Sequence, residues 1–129
     1  MKIRIKDNSI RLRLDKRDID QLSKNGHVTS RTMIPGDGCI DKFIYALKEG
    51  GSEISALLAN NTITISIPKD RVTKWTQSEE VGIEHTLDLK NGDRLRLLIE
   101  KDFQCLMDRP HENEDHMFPN PLVKTNQSH

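Results

Sequence analysis

The chain has 129 residues, of which 34% are hydrophobic and 4% aromatic, and it carries 20 basic and 20 acidic side chains. Its length is typical of one domain, and its few aromatic residues predict a core of Ile, Leu and Val. A net charge of zero excludes a whole-chain attraction to nucleic acid or anionic membrane, so any such attraction must come from a local patch.

The first predicted elements are a hairpin and a short helix. The segments KIRIK and IRLRL alternate charged with apolar residues around the turn Asp7-Asn8, which is typical of two paired strands. The apolar spacing then becomes helical, with Asp15 placed as an N-cap and Gly26 as the residue that ends the helix. A second hairpin follows, formed by HVTSRTMI and CIDKFIYALKE around the turn PGDG.

The second half of the chain predicts the same order of elements. Residues 8–22 align without a gap to residues 61–75, at a constant offset of 53. EISALLA and TITISI form a hairpin around Asn60-Asn61, Pro68 is suited to a helix start, and VGIEHTLDL and RLRLLIEK flank the turn KNGD. The aligned apolar pairs are Ile10 with Ile63, Leu12 with Ile65, Leu14 with Ile67, Ile19 with Val72 and Leu22 with Trp75. Outside this alignment, the later turn Gly36-Asp37 corresponds to the turn Gly92-Asp93.

These patterns predict a mainly antiparallel α+β domain made of two ββαββ repeats, residues 1–50 and 53–101. A barrel-like or two-layer sheet, with two short helices, is the arrangement that best protects the strand edges. We place the end of the domain at residue 107, and an acidic, Pro-containing C-terminal tail follows at 108–129. The alternative to a duplication is a chance similarity of two strand-and-helix segments.

Two resemblances bear on the fold. The second copy, ITISIPKDRVTKW with VGI and NGDRLRLLIE after it, resembles the AbrB-like swapped-hairpin proteins and their cradle-loop barrel relatives, which are bacterial DNA-binding regulators and antitoxins. Nearly the whole chain is similar to a small bacterial family with a domain of unknown function. The residues that carry this similarity are KIRIKDNSIRLRL, Trp75, and EKDFQCL followed by an acidic stretch and FPNP. The first resemblance implies a nucleic-acid-binding regulator, and the second implies no activity.

The N-terminal hairpin is the candidate binding site. Because strand side chains alternate between two faces, its charged residues share one side, and these are Lys2, Arg4, Lys6, Arg11 and Arg13. Such a face suits phosphates or a carboxylate-rich partner. The alternative interpretation is an edge hairpin that charge protects from association. Nucleic acid is possible but not favoured, because no aromatic residues alternate with the basic ones.

The segment that follows the last predicted strand allows three interpretations. Cys105, His111 and His116 are types of side chain that bind Zn²⁺, but their spacing matches no closed structural zinc pattern, so we expect no metal site. The acidic residues among Asn, His and Pro are typical of a solvated irregular segment. The third interpretation uses charge: residues 1–17 have a balance of +5 and residues 100–116 of −4, which favours the tail lying across the basic hairpin. Its apolar anchors are then Phe118, Pro119 and Leu122.

No catalytic signature such as GxSxG, HExxH or a P-loop is present in the sequence. Cys39 beside His27 or His85 is a possible nucleophile, although a half-buried strand cysteine is the commoner fate of such a residue. We therefore expect a non-enzymatic binding or interaction module without a cofactor, with a protein or an anionic ligand as partner. The rival hypotheses are an AbrB-like nucleic-acid-binding or antitoxin-like regulator and, third, a cysteine- or metal-dependent enzyme.

The expected location is cytoplasmic and the expected partners do not include a membrane. The N-terminus has alternating charges where a signal peptide has an apolar run, and no segment approaches the roughly 18 apolar residues of a spanning helix. Two distant cysteines, Cys39 and Cys105, are typical of reduced thiols. The sequence predicts neither the oligomeric state nor the identity of the ligand.

Overall fold

A computed structural model describes residues 1–103 of the chain. Within this part the elements follow the order ββαββββαββ, as the alternation of the sequence predicts. Their bounds are β1 Lys2–Lys6, β2 Ser9–Leu14, α1 Lys16–Asn25, β3 His27–Pro35, β4 Ile40–Glu49, β5 Ser55–Ala59, β6 Thr62–Ile67, α2 Lys69–Thr76, β7 Gly82–Asp88 and β8 Arg94–Lys101.

The strands form two four-stranded sheets rather than a closed barrel, with the orders β1-β2-β8-β7 and β3-β4-β6-β5. The predicted α+β class is therefore confirmed, and the two-layer alternative describes the arrangement. Hairpin neighbours pair antiparallel, whereas β2 pairs with β8, and β4 with β6, in parallel. Each sheet thus joins a hairpin that precedes one helix to a hairpin that follows the other helix.

The two parallel ladders have closely matched registers. In the first, Ile10 lies opposite Leu97 and Leu12 opposite Ile99. In the second, Ile63 lies opposite Tyr45 and Ile65 opposite Leu47. Because direct partners point to the same side of a sheet, each ladder sends alternate apolar side chains into the core, and the other face holds a mixture of polar and apolar residues.

Both helices begin directly after an inner strand. Asp15 is the N-cap of α1, and its carboxylate accepts a hydrogen bond from the Asp18 backbone N–H at 2.9 Å, while the Asp15 backbone N–H donates to the Asp18 carboxylate at 3.0 Å. The bond from the Asp18 N–H lowers the pKa of Asp15. Gly26 ends the helix with a left-handed φ of 79°, as predicted. Pro68 precedes α2, which has no side-chain cap.

Each helix buries a large side chain in the shared core, and α2 buries Val72 as well. Leu22 of α1 and Trp75 of α2 are both fully buried. The Trp75 indole N–H donates to the Val81 carbonyl at 3.2 Å, so its polar atom is satisfied inside the core. Burial of one large apolar side chain contributes about 1.5–3 kcal/mol. The helices are therefore held mainly by these contacts, since elements of 10 and 8 residues are too short to be stable alone.

Two details differ from the predictions. Cys39 is exposed in the loop between β3 and β4 rather than half-buried in a strand, and residues 40–42 at the start of β4 are exposed as well, so the core does not reach this end of the hairpin. The paired Gly-Asp turns are not equivalent: the left-handed glycine is Gly92 in the second loop, at φ 91°, but Gly38 rather than Gly36 in the first, at φ 78°. The last strand ends at Lys101, as the segment RLRLLIEK predicts, and the predicted boundary at residue 107 lies outside the described residues.

Among residues 1–103, neither helix is long and apolar enough to cross a membrane.

Candidate anion-binding site

The basic face is the outer side of β1 and β2, and the structure brings its five predicted residues together. Lys2 pairs across the strands with Arg13, and Arg4 with Arg11. Lys6 is one repeat further along β1, opposite Ser9. Strand alternation produces this arrangement, because the intervening Leu12 and Leu14 point inward and are buried. The face is therefore positioned by the same pattern that builds the core.

Two carboxylates from the far end of the described chain lie on this face. Glu100, in β8, accepts hydrogen bonds from the Nε atoms of Arg11 at 2.6 Å and Arg13 at 2.9 Å. Lys2 Nζ lies 2.9 Å from the Asp102 carboxylate. This contact lowers the pKa of Asp102, because the ammonium group favours the charged form of the carboxyl. The protein itself thus supplies two anions to the face.

Arg4 and Lys6 have no ion-pair partner among residues 1–103, and both are exposed. Five cations against two carboxylates leave a local excess of three positive charges. The neighbouring Arg96 of β8 is itself paired with Glu84, at 2.9 Å from its Nε. The uncompensated charge is consequently concentrated on the outer half of the hairpin, along β1.

Two shallow hollows follow one another along the hairpin. One, of about 200 Å³, is lined by Lys2, Ile3, Arg4, Arg11 and Arg13. The other, of about 250 Å³, is lined by Arg4, Lys6, Ser9, Ile10, Arg11, Arg96 and Leu98. Arg4 and Arg11 belong to both, so these two guanidinium groups stand at the centre of the face. A guanidinium presents several fixed N–H donors, which suits carboxylate and phosphate oxygens.

Sequence reasoning missed the roles of Glu100 and Asp102. Its only signal was the opposite charge balance of the two ends of the chain, which pointed to residues further along. The contact depends on the parallel pairing of β2 with β8, which places Glu100 directly beside Arg13. Such a pairing joins residues far apart in the sequence and leaves no local pattern.

The alternative catalytic residues are not brought together. Cys39 lies in the loop that follows β3, whereas His27 begins that strand, so roughly 25 Å of extended chain separates them. His85 lies in β7, in the other sheet. Within residues 1–103 no three His, Cys, Asp or Glu side chains are close enough to hold a metal. The alternative ligands Cys105, His111 and His116 lie outside the described residues, as does the whole predicted tail.

A further hollow of about 550 Å³ lies where the described chain ends. It is lined by Leu14, Asp15, Lys16, Ile19, Asp20, Lys101, Asp102 and Phe103. Its charges are of both signs and it contains no reactive pair, so its volume alone indicates no chemistry. Phe103 is 58% exposed at its rim. The hollow therefore lies between α1 and the last described residues.

Comparison with known proteins gives one match. A model described as a family of unknown function (DUF7009) matches residues 1–122, which includes the basic face and the acidic residues that follow β8. No curated protein and no solved structure shows significant similarity to the chain. The match assigns the chain to a family and indicates no chemistry.

Proposed function

The chain belongs to the family of unknown function (DUF7009), and from this premise we propose that it is a non-enzymatic binding module whose basic face recognises an anionic partner. The observation that supports the proposal is the position of Arg4 and Lys6. They are exposed and lack ion-pair partners among the described residues, and Arg4 lines both hollows of the face while Lys6 lines one. Cations with these properties remain available to an external anion.

The two paired arginines add to the same site. Arg11 and Arg13 are held by Glu100, so their guanidinium groups are already oriented before a ligand arrives. Preorganised donors lose less conformational entropy on binding than long side chains that move freely in water. The face therefore combines ordered donors on β2 with uncompensated charge on β1.

Binding to a labelled polyanion tests the proposal. We expect fluorescein-labelled deca-glutamate to bind the full chain at 20 mM NaCl and to dissociate as the salt is raised to 200 mM, because exposed charges are screened. The double variant Arg4→Ala/Arg11→Ala should bind at least about tenfold more weakly, since it removes both central guanidinium groups.

The matched control is Leu57→Ala/Thr64→Ala, on the other sheet. Leu57 and Thr64 face each other across β5 and β6 as Arg4 and Arg11 do across β1 and β2. This control should bind as the full chain does. Equal affinities of the two double variants, or salt-independent binding, would contradict the proposal. Thermal unfolding of both variants, followed by circular dichroism, establishes that they are folded.

The second candidate function is an AbrB-like nucleic-acid-binding regulator. It is favoured by the parallel pairing of hairpins from the two halves, which fits the swapped-hairpin resemblance of the sequence. A labelled 20-base-pair DNA duplex in the same assay separates the two. Tighter binding to DNA than to deca-glutamate at equal salt, lost in Arg4→Ala/Arg11→Ala, would favour the regulator. A cytoplasmic location in a bacterium is part of either proposal.

We also infer that the two halves, 1–50 and 53–101, are repeats. The supporting observations are the closely matched parallel registers and the mirrored sheet orders. A further sign is the pair of backbone bonds that close the ladders, from the Asp102 N–H to Leu14 O and from the Gly50 N–H to Ile67 O, both 2.8 Å. An alignment of family members in which both halves keep the offset tests this inference, and unrelated apolar spacing in the second half would contradict it.

A further inference from the structure

The basic face selects carboxylates from within the protein. Glu100 and Asp102, both from the end of β8 or just beyond it, contact three of its five cations. None of the side chains that line its two hollows is aromatic, so the face offers no surface on which nucleic acid bases stack. These contacts favour a carboxylate-bearing chain over a nucleic acid as the ligand.

The free edge of β1 suits an extended ligand. β1 is the outermost strand of its sheet, so one row of its backbone N–H and C=O groups has no strand partner in that sheet. Its outward cations, Lys2, Arg4 and Lys6, recur at every second residue. An extended segment that pairs with such an edge presents alternate side chains to the same face. Acidic residues two apart would therefore meet these cations.

The described chain ends beside this face. The Asp102 N–H donates to the Leu14 carbonyl at 2.8 Å, next to the pair formed by Lys2 and Arg13. From the next residue, Phe103, 26 further residues complete the 129-residue chain. Five extended residues span roughly 17 Å, whereas neighbouring strands lie only about 5 Å apart. Residues from 108 onward therefore have enough chain to reach any part of the basic face.

These later residues lie outside the described structure, and only their sequence is known. Between 108 and 115 the chain carries four acidic side chains and one basic one. Glu112 and Glu114 are two residues apart, the interval at which the cations of β1 recur. Their charge is opposite to that of the face, and their tether gives them a high effective concentration at it.

We propose that the occupant of the basic face is the chain's own acidic segment, residues 108–115, which binds along β1 and competes with external anionic partners. This inference rests on the proposed function, since it assigns the ligand class of the same site. An external partner must then carry acidic residues in an extended segment, and its apparent affinity is reduced by the tethered competitor.

Neutralising the segment tests the inference without shortening the chain. The variant Asp108→Asn/Glu112→Gln/Glu114→Gln/Asp115→Asn should bind labelled deca-glutamate about three- to tenfold more tightly than the full chain at 20 mM NaCl. The control neutralises four exposed acids elsewhere, Asp20→Asn/Asp37→Asn/Glu53→Gln/Glu79→Gln, with the same change in net charge. We expect the control to bind within about twofold of the full chain. This margin covers the general attraction between a more positive protein and the anionic peptide.

The outcomes separate the two proposals. Tighter binding by the tail variant alone, reversed by adding a synthetic peptide of residues 106–117, supports the tethered ligand. An equal gain in both variants overturns it, because total charge then explains the effect. Equal binding by all three chains, with the dependence on Arg4 and Arg11 retained, also overturns it and leaves the proposed function standing. Absence of binding in all three overturns the proposed function, and this inference with it.

Discussion

The hairpins β1–β2 and β5–β6 have the same construction on one side and opposite character on the other. Their inward residues are Ile and Leu in both, apart from Ala56 in the second, and Leu12 and Ile65 are almost completely buried. Outward, where the first hairpin carries five cations, the second carries only uncharged residues at the positions of matching register. These are Ser55, Leu57, Ala59, Thr62, Thr64 and Ser66.

The difference between the two outer faces indicates why the first hairpin carries its five cations. Both β1 and β5 are outermost strands of their sheets, so both edges require the same protection from association. Yet β5 carries no charge at the matching positions, which are Ser55, Leu57 and Ala59. Since an edge of the same geometry does without charge, edge protection alone does not explain the cations of β1. The comparison favours a ligand as the reason for them.

The largest effect is expected where the two hairpins agree. Leu12→Ala and Ile65→Ala should each lower the free energy of unfolding by about 2–5 kcal/mol, because both remove a fully buried side chain from the core. Urea denaturation followed by circular dichroism measures this. A loss below about 1 kcal/mol for one variant only would show that the two inner faces are not energetically alike.

Placing two arginines on the second hairpin should make its outer face resemble that of the first. Leu57→Arg/Thr64→Arg reproduces on β5 and β6 the central pair of the basic face, and it should add a second binding event for labelled deca-glutamate. We expect the new site to be weaker than the first, by about 1 kcal/mol or roughly fivefold, because it has two guanidinium groups where the basic face has five cations. Isothermal titration gives the stoichiometry.

Leu57→Gln/Thr64→Gln serves as the control for that substitution, because it adds polar side chains without charge. A stoichiometry of one for the arginine variant, equal to that of the control, would mean that two guanidinium groups on a sheet surface are insufficient. The other cations of the basic face, Lys2, Lys6 and Arg13, would then be a necessary part of the site.

Removing the carboxylate of Glu100 should separate stability from binding. In Glu100→Gln the guanidinium groups of Arg11 and Arg13 lose their internal anion, so deca-glutamate should bind about threefold more tightly. The free energy of unfolding should fall by less than about 1 kcal/mol, because the pairs are partly exposed. Lys48→Gln, at the matching place beside β6, should not tighten binding. Weaker binding by Glu100→Gln would show that orienting the arginines matters more than freeing them.

The smallest expected effect is a dependence on pH that belongs to the first hairpin. Contact with Lys2 lowers the pKa of Asp102, and Gly50 stands at the matching place on the other sheet. A lowered pKa in the folded state stabilises the fold above the ordinary carboxyl value of about 4, and this contribution is lost as the pH falls below it. Asp102→Asn should therefore be less sensitive between pH 5 and pH 3 in thermal unfolding. An unchanged pH profile would contradict the assignment.

The Arg71–Glu80 pair adds to that acid sensitivity without involving the hairpins. Two hydrogen bonds join them, at 2.8 and 2.6 Å, and they lower the pKa of Glu80. Asp15, at the start of α1, has a lowered pKa as well. Glu80 and Asp15 must both be protonated at acid pH against these contacts, so the Asp102→Asn variant keeps part of the pH dependence.

Local patterns predicted the elements but not how they pair. Strict alternation identified β2 and β6, and Asp15 and Gly26 marked the ends of α1, because these signals act within a few residues. The parallel contact of β2 with β8 has no such signal, and the position of Glu100 beside Arg13 depends on it. The basic face could therefore be predicted as a set of residues, while the carboxylates that it holds could not.

The exposure of Cys39 shows a second limit. The segment CIDKFIYALKE reads as one strand from its first residue, yet β4 begins at Ile40, after a loop in which Gly38 has a left-handed conformation. Where a hairpin turn ends depends on which loop conformation joins the strands, and several loops suit the same composition. Residues 40–42 at the start of β4 are exposed too, so the thiol lies at an end of the hairpin that the core does not reach.

The two parallel ladders also differ in the length of chain that each must close. The β4–β6 ladder pairs Ile44 with Thr62, 18 residues apart, whereas the β2–β8 ladder pairs Ser9 with Arg96, 87 residues apart. Closing the longer loop costs more entropy and delays folding. We therefore expect the sheet of β3 to β6 to form first during synthesis, while the N-terminal hairpin waits for β8. The basic face acquires Glu100 only at that last step, so its ordered arginines exist only in a completed chain.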